Sequence, residues 1–178
     1  TSDDLNGFKP EGIARLDSTT RNGRRCSAAV AHLKPALKRA NLTLTTRAVT
    51  RRIIIEGSRA SGIEYEKNGQ VRQAHASRAV LVCCGAIKSP QLLMLSGIGP
   101  KKVLEKVNIS CSHDLPGVGQ NLQDHLTVNI SYNIDHLDTF AELMRPMKML
   151  KNLYQYFFKR AGLLTYPASD IGVFFKTN

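Results

Sequence analysis

The sequence of 178 residues predicts an α/β fold that carries a three-stranded antiparallel β-meander. An Asn68-Gly69 pair separates two alternating segments, which is the strongest short-range signal for a β-hairpin. Residues 79–83 form a continuous apolar run, which is typical of a strand buried on both faces. A turn of small residues and a segment with helical end signals follow this run, as expected where a strand leads into a helix.

The first half of the chain is expected to contain loop, one helix and the meander. Residues 1–23 are polar and are predicted to be loop, whereas apolar residues recur at helical spacing over 27–39. Pro35 is expected to kink or split this helix. Residues 42–46 alternate and are rich in Thr, which predicts a strand. The β-meander 49–77 is predicted to contain strands at 49–56, 60–65 and 71–76.

The second half is expected to add two short helices, a long helix and two strands. Ser89 as N-cap, Pro90 at the first helical position and Gly97 beyond the end predict one short helix. The other predicted elements are a helix at 101–106, a strand at 127–134, an amphipathic basic helix at 140–160 and a strand at 171–175.

Composition narrows the possible classes of protein. The hydrophobic fraction of 42% predicts a packed core, and no apolar run is long enough to cross a bilayer. The net charge of +11 is spread over four separate basic clusters, so we expect a solvated surface and no nucleic-acid partner. The four cysteines have no metal-site spacing, so free thiols and no metal are expected. The chain opens on polar residues without Met, so we expect its natural start to lie upstream.

The turn at Cys83-Cys84-Gly85-Ala86 is the first candidate for chemistry. In open α/β sheets, nucleotides bind in the crevice beyond the carboxyl ends of the strands. Glycine at position 85 removes the side chain that would block a ribose or adenine, although a simple tight turn would look the same. The amides after Ser89 could likewise face a phosphate or belong to an ordinary helix cap.

Residues 85–99 resemble the second signature of the glucose–methanol–choline (GMC) oxidoreductases. Its pattern is a small residue, Ser-Pro, two aliphatic residues and then Ser-Gly-aliphatic-Gly, and every specified position is met. Residues 115–125 resemble the segment that follows in this family, and 59–65 resemble its meander. Residues 6–8, 67–70 and 162–165 look most like the choline dehydrogenase branch, so the resemblance covers essentially the whole chain.

The resemblance implies part of an FAD-binding Rossmann-like domain with a β-meander, over 1–125, and part of an antiparallel-sheet substrate domain, over 126–178. It also implies that Val49 contacts the adenine through its backbone, and that Cys84, Gly85 and Ala86 line the adenosine side of FAD. Small or hydroxylated residues are usual at positions 83 and 84, so the expected contact of Cys84 is through its backbone.

No catalytic residue is expected within the chain, because the acid–base His of the family lies beyond residue 178. His125 follows Asp124 but is expected to be structural or near the cofactor. No G-x-G-x-x-G is present either, so the sequence predicts an internal piece that is inactive alone.

The activity that the resemblance implies is FAD-dependent alcohol oxidation, with hydride transfer from the alcohol carbon to the flavin. The expected substrate is a small alcohol, choline being converted to betaine aldehyde, and the electron acceptor stays open. A quaternary ammonium favours an aromatic cage, to which Tyr154, Tyr156 or Tyr166 could contribute. The alternatives are a sugar or aryl-alcohol dehydrogenase or oxidase of the same family, or a non-catalytic truncated product. The same branch suggests a mitochondrial location.

Overall fold

A computed structural model of the chain describes residues 4–9, 11–133, 139–165 and 171–176. These residues belong to two compact units. The terminal unit combines Thr1–Thr43 with Ile130–Asn178, and the central unit is Leu44–Asn129. The predicted boundary between a cofactor domain and a substrate domain after residue 125 stays a prediction.

Short strands and helices alternate along the described residues. The strands are β1 (Gly12–Arg15), β2 (Thr20–Arg21), β3 (Arg24–Arg25), β4 (Val49–Glu56), β5 (Arg59–Lys67), β6 (Gln70–His75), β7 (Ile98–Gly99), β8 (His113–Asp114) and β9 (Ile171–Phe174). The α-helices are α1 (Lys34–Ala36), α2 (Gly85–Leu95), α3 (Lys101–Lys106), α4 (Phe140–Leu143) and α5 (Pro146–Tyr154). A π-helical turn, Ala29–Leu33, precedes α1; another, Gln155–Lys159, follows α5, and a 3₁₀ turn spans Leu163–Thr165. None of the described helices has the length and hydrophobicity to cross a membrane.

In the terminal unit, strand β1 pairs antiparallel with β9, and β2 forms a tight hairpin with β3. The predicted helix 140–160 is interrupted between α4 and α5 at Arg145, whose ψ is 145°. The break follows from Pro146, because the ring of a proline disfavours the helical conformation of the residue before it. The strand predicted at 171–175 is confirmed as β9, whereas the loop predicted at 1–23 is wrong where β1 and β2 lie.

The central unit is built on the β-meander, in which β5 pairs antiparallel with both β4 and β6. The predicted hairpin is confirmed by positive φ values of 54° at Asn68 and 74° at Gly69, as its turn type requires. Ile53, Leu92 and Leu104 are buried core residues. Helix α3 has the predicted bounds.

Three predicted strands are not formed in the residues that the structure describes. Residues 42–46, 79–83 and 127–133 are extended or irregular without ladder partners, and Ile134 lies outside the described residues. The apolar run 79–83 is not buried on both faces, since Leu81 is 85% exposed. A strand exists only where a neighbouring chain segment completes its hydrogen bonds. An alternating sequence indicates a local preference for extended backbone, but it does not show whether another segment lies beside it to form a sheet.

Candidate cofactor site

Helix α2 is fixed to strand β4 by one serine. The Ser96 hydroxyl donates to the Leu92 carbonyl at 2.6 Å and accepts a hydrogen bond from the Ile53 N–H at 2.8 Å. Ile53 is only 5% exposed, so water does not replace this acceptor easily. The serine of the Ser-Gly-aliphatic-Gly pattern therefore joins the end of α2 to the meander.

Gly97 ends α2 in a conformation that other residues avoid. Its φ is +81°, and a Cβ there would lie 2.6 Å from the Ser110 carbonyl oxygen. Its own carbonyl accepts a hydrogen bond from the Ser112 N–H at 2.8 Å. Glycine is thus required both by the left-handed backbone and by the close approach of the following loop.

The start of α2 differs from its prediction. The helix begins at Gly85, four residues before the expected N-cap Ser89, and contains Pro90 in its interior. The Ser89 hydroxyl instead accepts a hydrogen bond from the Cys84 N–H at 3.1 Å. This bond ties an extra turn onto the front of the helix, which the end signals in the sequence do not reveal.

A cavity of about 310 Å³ lies between the meander and the extended segment before α2. Its walls include Thr50 on β4, His75 at the end of β6, residues 79–82, Cys84 and Leu92. The volume is within the range of small-molecule sites in proteins. The walls are formed by short and aliphatic residues, with few charged groups.

Of the four residues predicted to contact the cofactor, one belongs to the wall of this cavity and three lie within two residues of a wall residue along the chain. Cys84 belongs to its wall, and Val49 directly precedes the wall residue Thr50 and is 69% exposed. Gly85 and Ala86 follow Cys84 and are exposed, although they do not belong to the wall. Gly85 has a φ of +83°, and no heavy atom lies within 4 Å of the position that a Cβ would take. The backbone of this turn is therefore open to a ligand.

The sequence alone did not predict that Thr50 and His75 line the cavity, nor that the Ser89 hydroxyl accepts the Cys84 N–H. Thr50 follows from the two-residue period of β4, since it is half-buried while Val49 is exposed. His75 had no motif around it, and only the pairing of β5 with β6 brings it to the cavity.

Arg52 and Glu64 form the closest ion pair on the meander, with Nη2 and Oε2 2.9 Å apart. The hydrogen bond from Arg52 lowers the pKa of the Glu64 carboxyl below its ordinary value of 4.5. Arg51 and Glu66 form a second, longer ion pair beside them, with Nη1 and Oε2 3.8 Å apart. These pairs link β4 to β5 across the sheet and balance part of the basic charge there.

The described residues hold no arrangement that suggests acid–base catalysis by His125. The Asp124 carboxylate accepts a hydrogen bond from the backbone N–H of His125 at 2.8 Å, a contact that orients the loop and not the imidazole. Within the described ranges, no three side chains of His, Cys, Asp or Glu converge as a metal site would need.

The tyrosines considered for an aromatic cage lie in the terminal unit. The Lys159 ammonium lies 5.9 Å from the ring centroid of Tyr154, so a cation already occupies one face of this ring. Tyr156 lines a separate cavity of about 530 Å³ that also contains Asp17 and Arg25. One carboxylate and one guanidinium therefore line that cavity, so these two groups give it no net negative charge to attract a cation. Tyr166 lies outside the described residues.

Curated relatives match most of the chain. Oxygen-dependent choline dehydrogenase of Pectobacterium atrosepticum is 51% identical over 132 residues, which is 74% of this chain and 24% of that protein. Mitochondrial choline dehydrogenase of Homo sapiens is 47% identical over 147 residues, or 83% of this chain and 25% of that protein. The chain thus spans about a quarter of the length of the curated relatives that it matches.

Solved structures repeat the fold. Pyridoxine 4-oxidase from Mesorbium loti has a TM-score of 0.64 and 39% identity, covering 68% of this chain and 24% of its own. A fungal aryl-alcohol oxidase has a TM-score of 0.79 over 92% of this chain and 29% of its own; at 23% identity it supports the fold alone. The predicted α/β class is confirmed.

The sequence model described as GMC oxidoreductase matches residues 1–127, more than two thirds of the chain. The match includes the meander, the Cys84–Gly85 turn, helix α2 and the loop up to His125. The resemblance found in the sequence is therefore confirmed: the chain belongs to the GMC oxidoreductase family.

Proposed function

We propose that the protein containing this chain is an FAD-dependent alcohol dehydrogenase that oxidises choline to betaine aldehyde. The observation that carries the proposal is the identity of about 50% to choline dehydrogenases over three quarters of the chain. When bound, FAD would accept the hydride that leaves the alcohol carbon. The residues of this chain then have to hold and orient one part of that cofactor.

The central unit offers a wall suited to the adenosine half of FAD. Adenosine needs a concave apolar surface with a few exposed backbone groups, and the cavity beside Thr50 and Cys84 has this composition. We assign the adenine contact to the Val49 backbone, and the ribose and adenine wall to Cys84, Gly85 and Ala86. The open space at Gly85 supports this assignment, because no neighbouring group of the chain blocks the approach of a ligand to this turn.

Choline is favoured over other alcohols by the degree of identity. The choline dehydrogenases are 47–52% identical to the chain, whereas pyridoxine 4-oxidase is 39% identical. An aryl-alcohol or sugar substrate would require the substrate-binding residues of the whole protein to differ from those of the choline branch. This alternative is distinguished by the choice of alcohol in one assay.

The test uses the full-length protein that contains this chain. After purification, its absorption spectrum and the flavin released on denaturation give the FAD content. Anaerobic addition of choline is expected to bleach the flavin absorbance, whereas glucose, benzyl alcohol and pyridoxine leave it unchanged. Bleaching by one of the other alcohols, and not by choline, would identify that alcohol as the substrate. A purified protein without flavin would support a non-catalytic product.

We further propose a mitochondrial location, which rests on the mitochondrial choline dehydrogenase of Homo sapiens and has no support from the bacterial relatives. Fractionation of the source cells with detection of the native protein tests this. Recovery of the protein outside mitochondria would contradict it.

A further inference from the structure

We propose that Ser89 is a positioning residue for the adenosine half of FAD and that it acts through the Cys84 amide. This inference rests on the proposed function. It assigns to the serine of the Ser-Pro pair a task that differs from capping the helix. By holding one backbone N–H, Ser89 fixes the turn 84–86 that we assign to the cofactor wall.

The backbone of this turn departs from the regular helical conformation. Cys84 has φ −89° and ψ 6°, which is in the sparsely populated bridge region, and Gly85 has a φ of +83°. Cys84, Gly85 and Ala86 are all exposed, so side-chain packing does little to hold them in place. The preceding residues 79–83 have no ladder partner among the residues that the structure describes. The hydrogen bond from the Cys84 N–H to the Ser89 hydroxyl at 3.1 Å is therefore a side-chain contact that joins this turn to the body of α2.

Pro90 adds to the same arrangement. Proline has no N–H, so residue 90 cannot give the Ala86 carbonyl its usual helical hydrogen bond. The Ala86 carbonyl therefore lacks the one helical donor that residue 90 would otherwise supply. The Ser-Pro pair thus has two effects on the turn: the serine accepts the Cys84 N–H, and the proline leaves out one helical hydrogen bond.

The effect of Ser89 should be confined to the half of the cofactor that contains adenosine. FMN carries the flavin and one phosphate but no adenosine, so it reports on the rest of the site. Loss of the positioning bond is expected to weaken FAD binding about fivefold, the equivalent of one ordinary hydrogen bond, and to leave FMN binding unchanged. A purely structural role of Ser89 would weaken both ligands alike.

The experiment measures dissociation constants for FAD and FMN on the full-length apoprotein and on three variants. Ser89→Ala is expected to lower the preference for FAD over FMN about fivefold. Ser89→Thr keeps the hydroxyl and is expected to restore that preference. Ser96→Ala, which removes a hydroxyl at the other end of α2, serves as the matched control and is expected to lower thermal stability without changing the preference.

An equal weakening of FAD and FMN in Ser89→Ala, or no change for FAD, would overturn the positioning role. If Ser89→Ala does not fold, Ser89→Cys retains the size of the side chain and replaces the oxygen by a weak acceptor; it is then expected to show the same loss of preference. A wild-type apoprotein that binds neither ligand would instead overturn the proposed function, and the Ser89 assignment with it.

Discussion

Replacement of Ser96 by alanine tests how the signature segment holds the central unit together. The substitution removes the acceptor of the Ile53 N–H, which lies 2.8 Å from the hydroxyl, and leaves that buried N–H without a partner. The Leu92 carbonyl also loses the hydrogen bond from the Ser96 hydroxyl, but it keeps one from the Ser96 backbone N–H at 3.1 Å, so this second loss is largely compensated. The dominant cost is therefore one unsatisfied buried donor, and we expect the free energy of unfolding to fall by about 2 kcal/mol.

Urea denaturation followed by circular dichroism measures this change, with Ser58→Ala as the matched control. Ser58 is exposed in the turn between β4 and β5, so its substitution is expected to change the free energy of unfolding by less than about 0.5 kcal/mol. A loss of less than about 0.5 kcal/mol in Ser96→Ala as well would show that the Ile53 N–H has another acceptor and that Ser96 does not hold α2 to the meander.

Two further perturbations probe the same unit. Gly97→Ala places a Cβ 2.6 Å from the Ser110 carbonyl oxygen at a φ of +81°, and we expect the free energy of unfolding in urea titrations to fall by more than about 2 kcal/mol. Gly57 also has a positive φ but has open space around it, so Gly57→Ala should lower the free energy of unfolding by only about 1 kcal/mol. Equal losses in the two variants would contradict the close approach of Ser110 to Gly97. The hydrogen bond from Arg52 lowers the folded-state pKa of Glu64, so its stabilisation is present above pH 4.5 and is lost as pH falls through the lowered value. Glu64→Gln is therefore expected to be less stable than wild type at pH 7 and to lose less stability on acidification, as measured by thermal denaturation at a series of pH values. If the melting temperatures of the two proteins change in parallel with pH, the Arg52–Glu64 pair does not contribute to stability.

The elements that the sequence predicts well are those whose cause is local. The hairpin at Asn68-Gly69 depends on two residues that tolerate positive φ, and helix α3 has the predicted bounds. The meander is joined by such short turns, so each strand finds its partner in the adjacent segment. The family signature also predicts the fold, because its Gly97 and Ser96 make the contacts that end α2 and join it to β4.

The elements that the sequence predicts poorly depend on distant partners. Residues 79–83 and 127–133 have the composition of strands, but no segment among the described residues pairs with them. The start of α2 was missed for a different, local reason, since the Ser89 hydroxyl accepts the Cys84 N–H in place of the usual capping role of a serine before proline. Likewise, Thr50 and His75 reach one cavity through sheet pairing, which single-residue patterns do not encode.

Our proposal places Val49 and the turn 84–86 beside the adenosine half of FAD. Photolabelling of the full-length protein with 8-azido-FAD, followed by peptide mapping, tests it most directly, because the reactive nitrogen is on the adenine itself. We expect the label in peptides that contain Val49 or residues 79–86, and we expect excess FAD to prevent the labelling. A label that maps instead to residues 139–165, with residues 79–86 unmodified, would contradict it.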